Sequence, residues 1–197
     1  MKNILSSGIL VIVAFLAFSF NQGAVNYKVN ADKSTITWTG KKVSGSHTGA
    51  VKISSGSISV NGDKVTAGTF DIDMTSISNT DMSDAGYREK LVGHLKSDDF
   101  FGTEKFPKAT FVLSSATSKG NGNYDVTGKL TIKGITNDVT FPATIKADGK
   151  SLNATAQITV DRTKYGIKYG SGSFFDNLGD KAIDNNFTLD VKLVAAK

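Results

Sequence analysis

The sequence predicts an all-β fold, an antiparallel barrel of about eight strands with one short helix between strands 3 and 4. Three observations carry this expectation. Apolar and polar residues alternate with period two over most of the chain, and turn dipeptides separate the alternating segments. The stretch beginning at Asp84 departs from that pattern, taking up a helical period instead.

In chain order, Met1, Lys2 and Asn3 form a short basic start, and Ile4 to Phe20 an apolar run broken only by Ser6, Ser7, Gly8 and Ser19. Asn21 to Ala24 are small or polar. That is the order of a secretory signal peptide, and the run is short for a membrane span. The expectation is a leader over 1–24 and one domain over 25–197, hence an exported protein, periplasmic or secreted. An uncleaved anchor is the alternative, since no A-x-A site stands out.

The first strand places Ile36 and Trp38 between Thr35, Thr37 and Thr39, and a second segment covers Val51 to Val60. In the third, Phe70, Ile72 and Met74 alternate with Asp71 and Asp73. After Met74 the alternation stops, and Asn79, Thr80, Asp81 and Ser83 offer helix caps before Ala85. Tyr87, Leu91 and Leu95 then make one apolar stripe, with Arg88, Glu89, Lys90 and Lys96 towards water, so the helix is expected to lie across one barrel end. Strands resume at Thr110 to Ala116, around Leu130 and Ile132, and at Val139 to Ile145. Two more alternate Leu152, Ala154, Ala156, Ile158 and Val160, then Phe187, Leu189, Val191 and Leu193, with polar neighbours. Turn signals at Asn61-Gly62, Gly120-Asn121-Gly122 and Asp148-Gly149 make successive strands antiparallel neighbours. A sandwich could use the same strands, but a barrel leaves no exposed edge and needs only hairpins.

Composition narrows the function. The chain has 197 residues and no cysteine, which removes thiol catalysis, Cys-based zinc and disulfides, so the domain must rest on its core. About 170 residues suffice, because a domain of that size buries about 70% of its unfolded surface. The net charge of +5 comes from scattered lysines, and only Arg88 and Arg162 are arginines, so no nucleic-acid partner is expected. The lysines suit a solvated surface with a preference for anionic head groups and transient membrane contact.

Motifs for chemistry are sparse. His94, Asp98 and Asp99 are close in sequence and His47 is the other histidine, but no metal-ligand spacing joins them, so no metal is expected and His94 reads as a tie from the helix end to the barrel rim. No G-x-S-x-G or nucleophile–base pattern occurs, Asp71 and Asp73 lie on a wet face, and neither a catalytic residue nor a cofactor is expected. Gly170 to Gly172 lack the following helix of a phosphate loop. The expected inward set is Trp38, Phe70, Met74, Phe111, Leu113, Phe141, Ile158 and Phe187. In a barrel of this size such residues either fill the core or leave room for one apolar ligand. The irregular Asp161–Asn186 region carries Tyr165, Ile167, Tyr169, Phe174, Phe175, Leu178 and Ile183, which pack on the barrel or line its mouth.

LVGHLKSDDFF with EKFPKATF behind it, GKLTIKGITNDVTF from Gly128, and DRTKYGI from Asp161 together resemble the YceI-like family of exported lipid-binding proteins, over Tyr27 to Lys192. The resemblance implies a lipocalin-like barrel holding a polyisoprenoid, isoprenoid quinone or fatty-acid-like chain, without catalysis. On that reading Arg162, Tyr165 and His94 meet the polar head. Trp38, Phe70, Met74, Leu91, Phe111, Leu113, Phe141 and Ile158 form the wall. A diphosphate head would favour Arg162 or Lys168. The chain departs from the family at Ser34 to Lys42, STITWTGKK, where many members carry a histidine, and in the long GSGSFFDNLGDKAI loop. The alternative is an interaction module with a filled core that binds a protein through the Tyr165–Ile183 loop. Oligomeric state stays open, a dimer included.

Overall fold

The computed structural model describes residues 23–197, so the leader expected over 1–24 lies outside the described residues but for Gly23 and Ala24. Nine strands and one α-helix follow: β1 Val25–Val29, β2 Thr35–Lys42, β3 Gly45–Asn61, β4 Lys64–Asn79, α1 Ala85–Lys96, β5 Lys108–Gly120, β6 Asn123–Ile132, β7 Ile135–Ala147, β8 Ser151–Asp161 and β9 Ile183–Ala196. From β2 to β9 each strand pairs antiparallel with the next, and β9 returns to β2, closing an eight-stranded barrel. β1 wedges between β3 and β9 below the end of β2, with Lys28 opposite both Ser57 and Ala196. Its five residues, VNYKV, were too few to stand out by alternation. Because β1 is a strand, the helix falls between β4 and β5 of the full set.

The expected alternation is realised in β8, where Leu152, Ala154 and Val160 are buried and Asn153, Thr155, Gln157 and Thr159 are exposed. β4 departs from expectation by continuing past Met74. The reason is a bulge: Asp73 Oδ1 accepts from the Thr75 N–H (2.9 Å) and hydroxyl (2.6 Å), and the Ser76 hydroxyl accepts the Lys52 N–H (2.8 Å). The extra residues shift the inward parity from Met74 to Ile77 and Asn79, so the strand persists while its simple alternation breaks.

The helix cap is Asp84, not one of the four expected residues; its carboxylate accepts the Tyr87 N–H at 2.8 Å. Leu91 and Leu95 turn towards the barrel, but Tyr87 is 62% exposed, because the helix leans on the barrel only beyond its first turn. Arg88, expected in water, is half-buried and donates to the Met82 carbonyl at 3.1 Å.

The two barrel ends differ. At one, the β3–β4, β5–β6 and β7–β8 hairpins meet β1 and the end of β9, and Tyr27, Val29, Val60, Tyr124, Leu152 and Ala195 fill the interior. Asn121 and Gly122 turn there with φ of 55° and 79°, the left-handed pair that a two-residue hairpin requires. The other end carries the β2–β3 hairpin, α1 with its following loop, the Lys133-Gly134 turn and the long β8–β9 connection.

Candidate functional site

Between the filled end and the helix end, the inward side chains leave a cavity of about 410 Å³. Small residues make the room: Gly68, Ala109, Ala143, Ala154 and Ala156 line it where larger side chains would meet across the barrel. Phe111 is part of its wall, 6.1 Å from the ring of Phe70 and 5.6 Å from that of Phe141. Gly128 makes that seat, since a Cβ there would come within 2.6 Å of both Phe111 Cε2 and the Val112 carbonyl. Gly49 serves Trp38 likewise, and Trp38 Nε1 donates to the Ser78 carbonyl at 3.0 Å, which satisfies its one polar atom.

Polar groups gather at the helix end. Lys41, Lys42 and His47 reach the cavity from the β2–β3 hairpin, Leu91, His94 and Leu95 from α1, and Asp184 and Asn186 from β9. His47 Nδ1 lies 3.0 Å from Asp81 Oδ2, whose other oxygen accepts from the Thr48 N–H and the Asn79 amide. His94 Nε2 lies 3.1 Å from Asp99 Oδ2, and its ring packs edge-on to Phe100 and Tyr169 at 4.9 and 4.6 Å. His94 therefore hydrogen-bonds within its own following loop, and the tie expected to the barrel rim is replaced by contact with the β8–β9 connection.

Arg162, in a short 3₁₀ turn after β8, is buried and reaches the cavity. Its Nε donates to the Asp184 carbonyl (2.9 Å), and its terminal nitrogens donate to the carbonyls of Ile167 (2.9 Å) and Ile183 (3.0 Å). Burial pushes its guanidinium below the usual arginine range, with Asp161 and Asp184 opposing that shift. Tyr165 is buried beside it, and burial, aided by Asp161, raises its phenol; its hydroxyl has no hydrogen-bond partner among the described residues.

Of the residues singled out from sequence, Trp38, Phe70, Met74, Leu91, His94, Phe111, Leu113, Phe141, Ile158 and Arg162 line this cavity together. Tyr165 does not; it is buried behind the wall. Sequence reasoning missed His47, Lys41 and Lys42, although pairing of β2 with β3 sets His47 opposite Gly40 at the same rim. It also missed Phe100 and Phe101, which stand in the LVGHLKSDDFF motif itself. Among the described residues no three His, Asp or Glu side chains gather as a metal site, and no helix is long and apolar enough to cross a membrane.

Comparison with known proteins places this geometry. The YceI-like domain matches residues 27–195. A UPF0312 protein of Shewanella denitrificans is 38% identical over 95 residues, covering 48% of this chain and 47% of that relative. One of Pseudomonas putida is 35% identical over 112 residues, covering 53% and 52%. The matched stretches thus span about half the length of these relatives. Among solved structures, Burkholderia cenocepacia BcnA superposes with a TM-score of 0.69 at 27% identity, over 85% of this chain and 99% of that one. A polyisoprenoid binding domain from Saccharophagus degradans shares the fold at 14% identity, with a TM-score of 0.62 over 86% of this chain and 97% of that one.

Proposed function

The chain belongs to the YceI-like domain family, and from that premise we propose that it is a non-catalytic carrier of a long-chain amphiphile such as a polyisoprenoid, an isoprenoid quinone or a fatty-acyl lipid. One observation carries the reading: an apolar cavity of about 410 Å³, stopped by packed side chains at one end and rimmed by polar groups at the other. Its size falls within the roughly 300–1,000 Å³ of ligand pockets. Each methylene moved from water into such a space contributes about 0.8 kcal/mol, so a tail of several prenyl units offsets the several kcal/mol lost on association. The outer faces carry Thr, Lys, Asn and Asp, the reverse of a membrane-spanning barrel, which favours carriage inside over insertion.

The rim supports an amphiphile over a plain hydrocarbon. Arg162 uses three of its N–H groups on backbone carbonyls, and a guanidinium has about five, so two remain for an acceptor on a head group. The polyisoprenoid binding domain that shares this fold shows that such a barrel can take cargo of this kind. The leader-like start, residues 1–24, supports work outside the cytoplasm, in the periplasm or secreted. Native mass spectrometry of the protein purified from its own host tests the proposal, with organic extraction of the same sample. An apolar compound in stoichiometric amount is expected, together with one saturable site for a hydrophobic fluorescent probe. Absence of both would overturn the carrier reading.

A further inference from the structure

We propose that the helix end of the barrel is a docking face for anionic lipid bilayers, seating the cavity mouth against the membrane; this rests on the carrier reading above. Of the seven large hydrophobic side chains most exposed among the described residues, all but Val112 belong to elements at that end. They are Val43 in the β2–β3 hairpin, Tyr87 on α1, Ile135 after the Lys133-Gly134 turn, and Tyr169, Phe174 and Phe175 in the β8–β9 connection. Their exposure runs from 42% to 66%, whereas the hairpin turns of the filled end present Asn, Gly, Asp and Lys. None of the six lines the cavity itself, but they share that end of the barrel with Lys41, Lys42, His47 and His94, which do, so cargo leaving there would emerge beside a bilayer seated on them.

Charge selects the occupant. Lys41 and Lys42 precede Val43, the Lys168 Nζ sits 4.7 Å from the centre of the Phe174 ring, and the Lys90 Nζ 5.6 Å from that of Tyr87. None of these four lysines is in an ion pair among the described residues. Several carboxylates of the same end are already engaged, Asp81 with His47, Asp84 at the helix cap, Asp98 with Lys105 and Asp99 with His94, while Glu89, Asp176 and Asp180 are unpaired among the described residues and reduce the local positive charge. Aromatic rings with ammonium groups alongside match a bilayer interface, where the ring enters the acyl boundary and the ammonium meets phosphate.

The test is co-sedimentation with vesicles of phosphatidylcholine alone and of phosphatidylcholine mixed equally with phosphatidylglycerol, at low and high salt. The protein is expected to partition to the mixed vesicles and to release with salt. Phe174→Ser with Phe175→Ser should weaken partition about tenfold or more while leaving the probe site intact. Lys90→Gln with Lys168→Gln should weaken it about 25-fold on the mixed vesicles, at about 1 kcal/mol per lysine, with little effect on the neutral ones. Wild-type protein that ignores mixed vesicles, or variants that partition unchanged, would overturn the proposal. So would sedimentation showing a dimer that the aromatic variant dissociates, because the patch would then be covered by a second copy. Probe titration of the same samples judges the carrier reading separately, so the two can fail independently.

Discussion

Phe111 takes its place because Gly128 has no side chain, and the fit that seats one edge of the ring leaves another facing the cavity. Gly128→Val should drive the ring from its seat, costing about 1–3 kcal/mol of overpacking and lowering Tm by roughly 2–4 °C per kcal/mol. Thermal melts check this. Phe111→Ser separates hollow from filled: a folded barrel with reduced probe binding is expected, and a loss of several kcal/mol in stability would instead mark a packed core. Arg162→Met removes the donor to three carbonyls and should cost on the order of 2–4 kcal/mol in denaturant unfolding, with Arg162→Lys recovering only part because an ammonium cannot span the same fork. Sequence pointed to Arg162 through DRTKYGI as a head-group contact, but its fastening role was invisible, since two partner carbonyls lie about twenty residues away and backbone groups carry no sequence signature. Tyr165 shows the opposite limit: the same motif marked it, and the turn after β8 carries it behind the wall.

The helix and the bulged strand show what pattern reading resolves at the level of elements. Apolar residues at Leu91 and Leu95 announced α1 and its inward face, but its start was open because Asn, Thr, Asp and Ser crowd the approach, and only the backbone path chose Asp84. Asp84→Ala should therefore destabilise α1 by about 1 kcal/mol. Hydrogen exchange is the direct measure: faster exchange over residues 85–96 with unchanged protection in β6 and β8 is expected, and uniform acceleration would show that the cap supports the whole barrel. In β4 the Asp73–Ser76 bulge reverses parity, so a reader of period two stops at Met74 although the ladder runs to Asn79. Such a reversal costs the pattern its rhythm without costing the strand its partners, because the Ser76 hydroxyl takes over the Lys52 N–H.

For the molecule as a whole, closure makes local ion pairs matter together. The Lys108 hydrogen bond holds the Asp71 carboxyl below the usual range, with burial opposing it and Ser55 assisting. At Asp81 burial acts upwards, but hydrogen bonds from His47, Asn79 and Thr48 prevail and the carboxyl is again lowered. Groups lowered on folding stabilise above their unfolded pKa, about 3.9 for aspartate, and lose that contribution as pH falls through the folded value. Stability should thus hold at neutral pH and decline below about pH 4, and Asp71→Asn should flatten that acid limb modestly, since the pair is partly exposed. Urea titrations across pH read this out. The barrel was legible from sequence because eight segments each show one wet face. Its hollow was not, since filled and empty barrels alternate alike; the difference lies in which inward positions are Gly or Ala, and only the folded barrel brings Gly68, Ala109, Ala143 and Ala154 onto the wall of one cavity. Among the described residues, Tyr27, Tyr124 and Leu152 stop the sleeve at one end, which leaves the helix end as its doorway. For the carrier proposed above, loading and unloading would then share one route in opposite directions, so net traffic would follow the relative thirst of donor and acceptor for the cargo, and the barrel would set the pace without choosing the destination.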